Sequence, residues 1–293
     1  MSKVTVILVA YNSVGIIARA LASLRGQPDV ASVIVVDNCS TDDTCDLIGR
    51  DFLEVKLIEN PKNDGFGRAN NRALNEVKTP YALLLNPDAI LEDGALKTLL
   101  ETAERYPDAA IIAPMLYDEQ GEPDHSYKRH VFAREKKRGD YVLPEGDLCA
   151  EFLSGAVWLL NMKLMKQVGF FDPAIFLYYE DDDLCLRVRK AGYGLVLARG
   201  AAAVHVKGAS SGVVKLDVEF DRQKYMVWSR LYIEKKYRGE KAAKWLARRL
   251  QLEYAFKAAW YCLRFNKRKL NRYRGRLEGV FVFSGASTSA RAA

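Results

Sequence analysis

Tyr81-Ala82-Leu83-Leu84-Leu85-Asn86-Pro87-Asp88 decides how the chain is read. A short apolar run of this kind describes a strand buried on both faces, the type found in parallel sheets. Pro87 ends it by removing an amide donor, which leaves Asp88 projecting from the sheet edge. In doubly wound sheets ligands gather at the carboxyl ends of the strands. A carboxylate placed there can hold a hard divalent cation that in turn neutralises a diphosphate. An Asp that merely opens a turn gives the same local pattern.

The same punctuation recurs upstream. Val4-Thr5-Val6-Ile7-Leu8-Val9, Ser32-Val33-Ile34-Val35-Val36 and Val55-Lys56-Leu57-Ile58 read as three further strands. Ile16, Ile17, Ala20, Leu21 and Leu24 recur at helical spacing between the first two. Strand, helix and strand at these intervals predict a doubly wound, mostly parallel sheet with helices on both faces. The strand ends are polar: Ala10-Tyr11-Asn12 after the first, Asp37-Asn38 after the second. Asp37 could accept from a nucleobase imide N–H or a ribose hydroxyl, or simply precede a helix whose N-cap is Ser40, with Asp43 closing a capping box. Asn63-Asp64-Gly65-Phe66-Gly67-Arg68-Ala69-Asn70-Asn71 is a glycine-bearing loop entering a helix, with the spacing of neither glycine fingerprint.

Downstream, residues 118–150 are rich in charge, Gly and Pro and read as a variable loop holding His125 and His130. Glu151 to Leu160 resumes as strand, and Phe170-Phe171-Asp172-Pro173 is a turn. Glu180-Asp181-Asp182-Asp183 opens a short helix that Gly192 ends. Acids at a helix start complement its dipole. Four in a row also repel one another, which raises a carboxylate's pKa and suits a general base. His205 follows the strand Leu195-Val196-Leu197; such a lone histidine is a surface or structural residue, or, with a carboxylate, a borderline site for Mn²⁺ or Mg²⁺.

Charge divides the 293 residues in two. Residues 221–278 carry 18 Lys or Arg against 5 Asp or Glu, whereas residues 1–220 carry 25 against 32. The basic tail is helical, and Trp245, Leu252, Phe256, Ala259, Trp260 and Leu263 form an apolar stripe along it. Its three readings are an anionic membrane face, packing on the rest of the chain, and a homodimer interface. The apolar share of 49% excludes global disorder, and no run approaches the ~18 apolar residues of a membrane span. The N-terminal apolar stretch reads as strand, not signal peptide. Five cysteines without a C-x-x-C pair argue against a disulfide framework or zinc ribbon and point to a reducing compartment, the cytoplasm, or peripherally the inner face of the plasma membrane.

Taken in order, Val9-Ala10-Tyr11-Asn12, Val35-Val36-Asp37-Asn38-Cys39-Ser40-Thr41-Asp42, Asn63-Asp64-Gly65-Phe66-Gly67, Leu85-Asn86-Pro87-Asp88, Ser154-Gly155-Ala156, Gly169-Phe170-Phe171-Asp172, Glu180-Asp181-Asp182-Asp183-Leu184 and His205-Val206-Lys207-Gly208 resemble family 2 glycosyltransferases, the rhamnosyltransferase-like branch above all. The resemblance implies a GT-A fold over residues 1–220, with a nucleotide-sugar half to about 115 and an acceptor half from about 116, followed by a basic helical extension, 221–293. It further implies inverting transfer of a sugar from a nucleoside-diphosphate donor, dTDP-rhamnose-like or a UDP-sugar, to a glycan or lipid-linked acceptor of the cell surface. Asp181 would be the general base, and Asp88 and His205 would hold Mg²⁺ or Mn²⁺. Ala10, Tyr11, Asn12, Asp37, Asp64, Gly65, Asn70, Asn86, Gly155 and Glu180 would line the donor pocket. Asn86 stands where many relatives have aspartate, and its amide oxygen is the weaker ligand. Two rivals are a sugar-phosphate nucleotidyltransferase, whose glycine-rich basic loop is missing after the first strand, and a non-catalytic carbohydrate- or nucleic-acid-binding protein. Nucleic acid is the less favoured partner, because the body carries no recognised module for it.

Overall fold

Each of the four N-terminal apolar runs is a strand: β1 (Val4–Ala10), β2 (Val30–Asp37), β3 (Val55–Glu59) and β4 (Tyr81–Leu85). Between them run α1 (Ile17–Ala22), α2 (Thr44–Asp51) and α3 (Phe66–Leu74). The chain continues through β5 (Ala89–Leu91), α4 (Ala95–Arg105), β6 (Ala109–Tyr117), β7 (Tyr127–Lys128), β8 (Leu148–Cys149), β9 (Phe152–Leu153), β10 (Val157–Asn161), α5 (Met162–Val168), α6 (Glu180–Lys190) and β11 (Gly194–His205). It closes with α7 (Leu216–Arg238), α8 (Glu240–Leu263) and α9 (Lys267–Phe283). This computed structural model describes residues 3–124, 126–128, 143–206 and 216–285. His125, His130, Lys207 and Gly208 lie outside the described residues. The chain forms two units, Met1–Pro173 with Asp181–Gly212, and Ala174–Glu180 with Val213–Ala293.

The first unit is built on a sheet of order β3-β2-β1-β4-β10-β6-β11-β5, with β8 added on β11. β3, β2, β1 and β4 are mutually parallel, and β11 is parallel to β6. β10 runs antiparallel between β4 and β6, so the sheet is mixed but mostly parallel. Successive residues of β1 feed opposite faces. Val4, Val6 and Leu8 join the core under α1, α2 and α4; Ile7 and Val9 join the core under α3, α5 and α6. A sheet covered on both faces needs apolar residues at every position, and β1 is buried throughout.

Two local expectations change. The run from Glu151 to Leu160 is not one strand. β9 pairs with β7 in a separate two-stranded sheet and β10 enters the main one, leaving Ser154-Gly155-Ala156 as a break. Ser40 does not cap α2 either. Its amide donates to Asp37 Oδ2 at 2.8 Å and its hydroxyl to Asp37 Oδ1, because a carboxylate three residues earlier captures it first. The residue before α2 is Asp43, whose side chain makes no capping bond, and Asp42 accepts from the Thr44 amide at 3.2 Å.

The second unit has its own core of Val227, Leu231, Leu246, Ala247, Leu250, Tyr254 and Val280. α9 lies so close to α7 that a Cβ on Gly275 or Gly279 would strike the Phe220 or Lys224 carbonyl oxygen. The stripe read from the sequence is not part of this core: Trp245, Leu252, Phe256, Ala259, Trp260 and Leu263 are all exposed. α8 is apolar on two opposite faces, and its buried face is Ala243, Leu246, Ala247, Leu250 and Tyr254.

Candidate active site

The site is assembled where β4 stops. Past Leu85 the Asn86 amide donates to the Ala156 carbonyl at 2.9 Å, and Ala89 donates back to Asn86 at 3.0 Å, folding Asn86-Pro87-Asp88 into a tight turn. β5 then pairs antiparallel with the end of β11, setting Ala89 opposite His205. The Val206 amide donates to the Asp88 carbonyl at 2.8 Å. This register brings together side chains 117 positions apart: His205 Nε2 lies 3.4 Å from Asp88 Oδ1.

A third group stands on the other side of the ring. Asp124 Oδ2 lies 3.6 Å from His205 Nδ1, and both side chains are largely buried. Burial alone would lower the imidazole pKa, but the two carboxylates facing it, Asp124 and Asp88, outweigh burial and raise it to about 9. The sequence reading missed Asp124, which sits in the segment taken for a variable loop. Its only sequence signal is its place just after a turn that follows a strand: Asp124 donates its amide to Leu116 at 2.7 Å, at the end of β6.

Asp181 lies beside Gly155, the residue before the partner of Asn86. A Cβ added to Gly155 would sit 3.4 Å from Asp181 Cβ and 3.9 Å from its Oδ2. Gly155 precedes Ala156, the partner of Asn86, so glycine lets the backbone beside the Asp88 turn approach the carboxylate closely. Asp181 Oδ1 accepts from the Asp182 amide at 2.9 Å. α6 is held in place by a buried pair two residues on: Arg187 Nε donates to Asp183 Oδ2 at 2.8 Å. The same guanidinium donates to the Gly169 carbonyl at 3.0 Å and to that of Phe170. Glu180, the first residue of α6, is buried.

A separate polar group lies past β1, β2 and β3. Asp37 is 2% exposed and takes both bonds from Ser40. Asn12, at φ 49°, donates its amide to Ser40 Oγ at 2.8 Å and accepts from the Thr41 amide at 2.8 Å. Asn38, overlooked as a site residue, is the hub: its amide group donates to Asn63 and to the Gly65 carbonyl, and its oxygen accepts from Asn60 and the Asp64 amide. It draws Asp64 and Gly65, the latter at φ 83°, against the ends of β1 and β2. The Ala10 carbonyl accepts from the Asn38 amide at 2.7 Å, and Tyr11 is 45% exposed beside it. Asn70 is buried and donates to Phe66 within its own helix, whereas Asn71 holds the Phe171 backbone through both its amide atoms.

Among the described residues no three His, Cys, Asp or Glu side chains converge into a complete metal cage. Asp88 and His205 nonetheless converge, and an imidazole with carboxylate oxygen suits Mn²⁺ or Mg²⁺. Ions of the Mg²⁺ type are commonly held by one or two protein ligands, the rest coming from water and substrate phosphates. The donors present therefore fit a cation that arrives with a diphosphate.

Comparison with known proteins settles the class. Residues 5–169 match the description "Glycosyl transferase family 2". The chain belongs to that family. It is 28% identical over 236 residues to an N-acetylglucosaminyl-diphospho-decaprenol L-rhamnosyltransferase of Mycobacterium tuberculosis, covering 71% of this chain and 77% of the relative. It is 26% identical over 230 residues to the rhamnosyltransferase WbbL of Escherichia coli, covering 69% and 83%. Among solved structures, Staphylococcus aureus TarS 1–349 aligns with a TM-score of 0.54 at 16% identity, over 96% of this chain and 92% of that one. GalNAc-T7 with UDP, GalNAc and Mn²⁺ aligns with a TM-score of 0.58 at 12% identity, over 78% of this chain and 47% of that one. The fold is the GT-A fold and the chain is a rhamnosyltransferase-like family 2 glycosyltransferase, which excludes both the nucleotidyltransferase and the non-catalytic alternatives.

Proposed function

We propose that this glycosyltransferase moves a sugar, rhamnose from dTDP first and a sugar from UDP second, to a hydroxyl of a lipid-linked or polymeric glycan. The observation that carries the reading is the approach of Asp88 and His205 across the β5–β11 register. The similarity to two rhamnosyltransferases favours the donor, and the decaprenyl-linked acceptor in the name of one favours the acceptor class.

The chemistry is a single displacement. Asp181 takes the proton from the acceptor hydroxyl as its oxygen bonds to the anomeric carbon. The bond from that carbon to the diphosphate breaks, its electron pair stays on the diphosphate, and the anomeric centre inverts. Asp88 and His205 would hold a divalent cation, which would neutralise the charge of the departing diphosphate. Ala10, Tyr11, Asn12, Asp37, Asp64 and Gly65 form the nucleoside end of the pocket, where Asn38 fixes the loop and Tyr11 offers an exposed ring. Asn86 serves as a backbone brace of the Asp88 turn and Gly155 as the gap that admits Asp181.

Turnover of dTDP-rhamnose, then a UDP-sugar panel, with and without Mn²⁺ tests this. Wild-type activity with Mn²⁺ and none in Asp181→Asn, at unchanged melting temperature, supports it. Equal turnover by the variant reassigns the base.

A further inference from the structure

The exposed face of α8 calls for an occupant. Trp245, Leu252, Phe256, Leu263 and Phe265 are between 65% and 91% exposed, with Trp260 at 45%. Spacings of seven, four and seven from Trp245 through Leu252 and Phe256 to Leu263 keep them on one side of a 24-residue helix. At about 1.5 Å per residue that row extends about 30 Å, far longer than an incidental patch. Its opposite side is already spent on the core of the second unit.

Its charge identifies the partner. Residues 241–276 contain 12 Lys or Arg and a single acid, Glu253, which is paired with Lys257 at 2.6 Å. The cations interleave with the aromatics: the Arg249 guanidinium lies 5.8 Å from the Trp245 ring and that of Arg264 4.5 Å from the Trp260 ring. Beyond Phe265, Lys267, Arg268 and Lys269 continue the basic run in the exposed first turn of α9. A second copy docking the same face on itself would set like charges against each other. Water favours neither six exposed apolar side chains nor their burial among cations, whereas a lipid headgroup region accepts both at once. No helix among the described residues is long and apolar enough to cross a membrane.

We propose that α8, with the first turn of α9, lies flat in the interface of an anionic phospholipid bilayer, its Trp-Leu-Phe row in the acyl boundary and its arginines and lysines at the phosphates. This stands independently of which sugar the catalytic unit transfers. It narrows the docking element from the whole basic tail to one face of α8 and the first turn of α9.

Co-sedimentation of the full chain with phosphatidylcholine vesicles, with and without about one third phosphatidylglycerol, tests it. The full chain is expected to pellet with the anionic vesicles and not with the neutral ones. Raising the salt to about 1 M, where screening shortens to about 3 Å, should weaken pelleting without abolishing it. The variant L252S/F256S/W260S/L263S alters only exposed positions and should lose binding by at least about tenfold with its helical content intact. Tryptophan fluorescence quenched by brominated lipid in the wild type, whose exposed tryptophans are Trp245 and Trp260, gives a reading that needs no variant. Equal pelleting by the variant, or no pelleting by the wild type, overturns the proposal. So does a wild-type dimer in light scattering that this variant converts to monomer, which assigns the face to a second copy.

Discussion

The two units handle apolar surface in opposite ways. In the sheet unit the apolar residues alternate into two cores, and the acids of the site stand where strands end, at Asp37 and Asp88, and where α6 begins, at Asp181. In the helical unit one helix is apolar on both sides, only one side is buried, and the surrounding charge is predominantly positive. An apolar pattern therefore states which residues prefer to leave water, and not what will cover them. Position on a sheet fixes the answer, because both faces must be closed by the chain itself. Position on a helix of a small bundle leaves it open.

The largest effect expected on this contrast is catalytic. Asp181→Asn should lower turnover by about 10²–10⁴-fold, the usual contribution of a positioned base, with the melting temperature unmoved. Next comes the brace of the same helix. Arg187→Met removes the guanidinium that pairs with the fully buried Asp183 carboxylate and should cost about 3–5 kcal/mol in urea unfolding. A shift within error would show that α6 is held by packing alone.

The two faces of α8 can be set against each other directly. Leu250→Ala, in the buried face, should cost about 2–5 kcal/mol, whereas Leu252→Ala, two residues on and 74% exposed, should stay within about 0.5 kcal/mol. Equal losses would mean the exposed face is covered in solution.

The smallest effect is on pH dependence. The His205 imidazole is raised from 6.5 to about 9 because the two carboxylates outweigh its burial. Its charged form then stabilises the metal-free fold fully below about 6.5, and that contribution disappears as the pH rises through about 9. In chelator, the wild-type melting temperature should fall across this window more than that of His205→Gln. Parallel curves would show that the imidazole is not held by its acids.

Much of the sheet was legible because buried parallel strands are continuous β-branched and leucine runs: β4 matches Tyr81–Leu85 and β1 adds only Ala10. Direction was not, since an apolar run such as Val157–Asn161 reads the same whether its neighbours run with it or against it. The Ser40 cap failed because hydrogen-bond partners compete, and Asp37 lies closer than the helix does. Asp88 and His205 were each legible as strand-end residues, but their approach depends on the β5–β11 register, which no local pattern encodes. Asp124 and Asn38 carried no chemistry of their own in the sequence, one inside a polar loop and the other beside a more conspicuous aspartate. Their roles come from what they touch.

The most direct measurement is Mn²⁺ binding by calorimetry in the presence of dTDP, across wild type, Asp88→Asn, His205→Gln and Asp181→Asn. Binding should weaken at least about tenfold in the first two variants and be retained in the third. Unchanged binding in Asp88→Asn and His205→Gln would contradict the account, because the two side chains that the fold brings to 3.4 Å would then hold nothing in common.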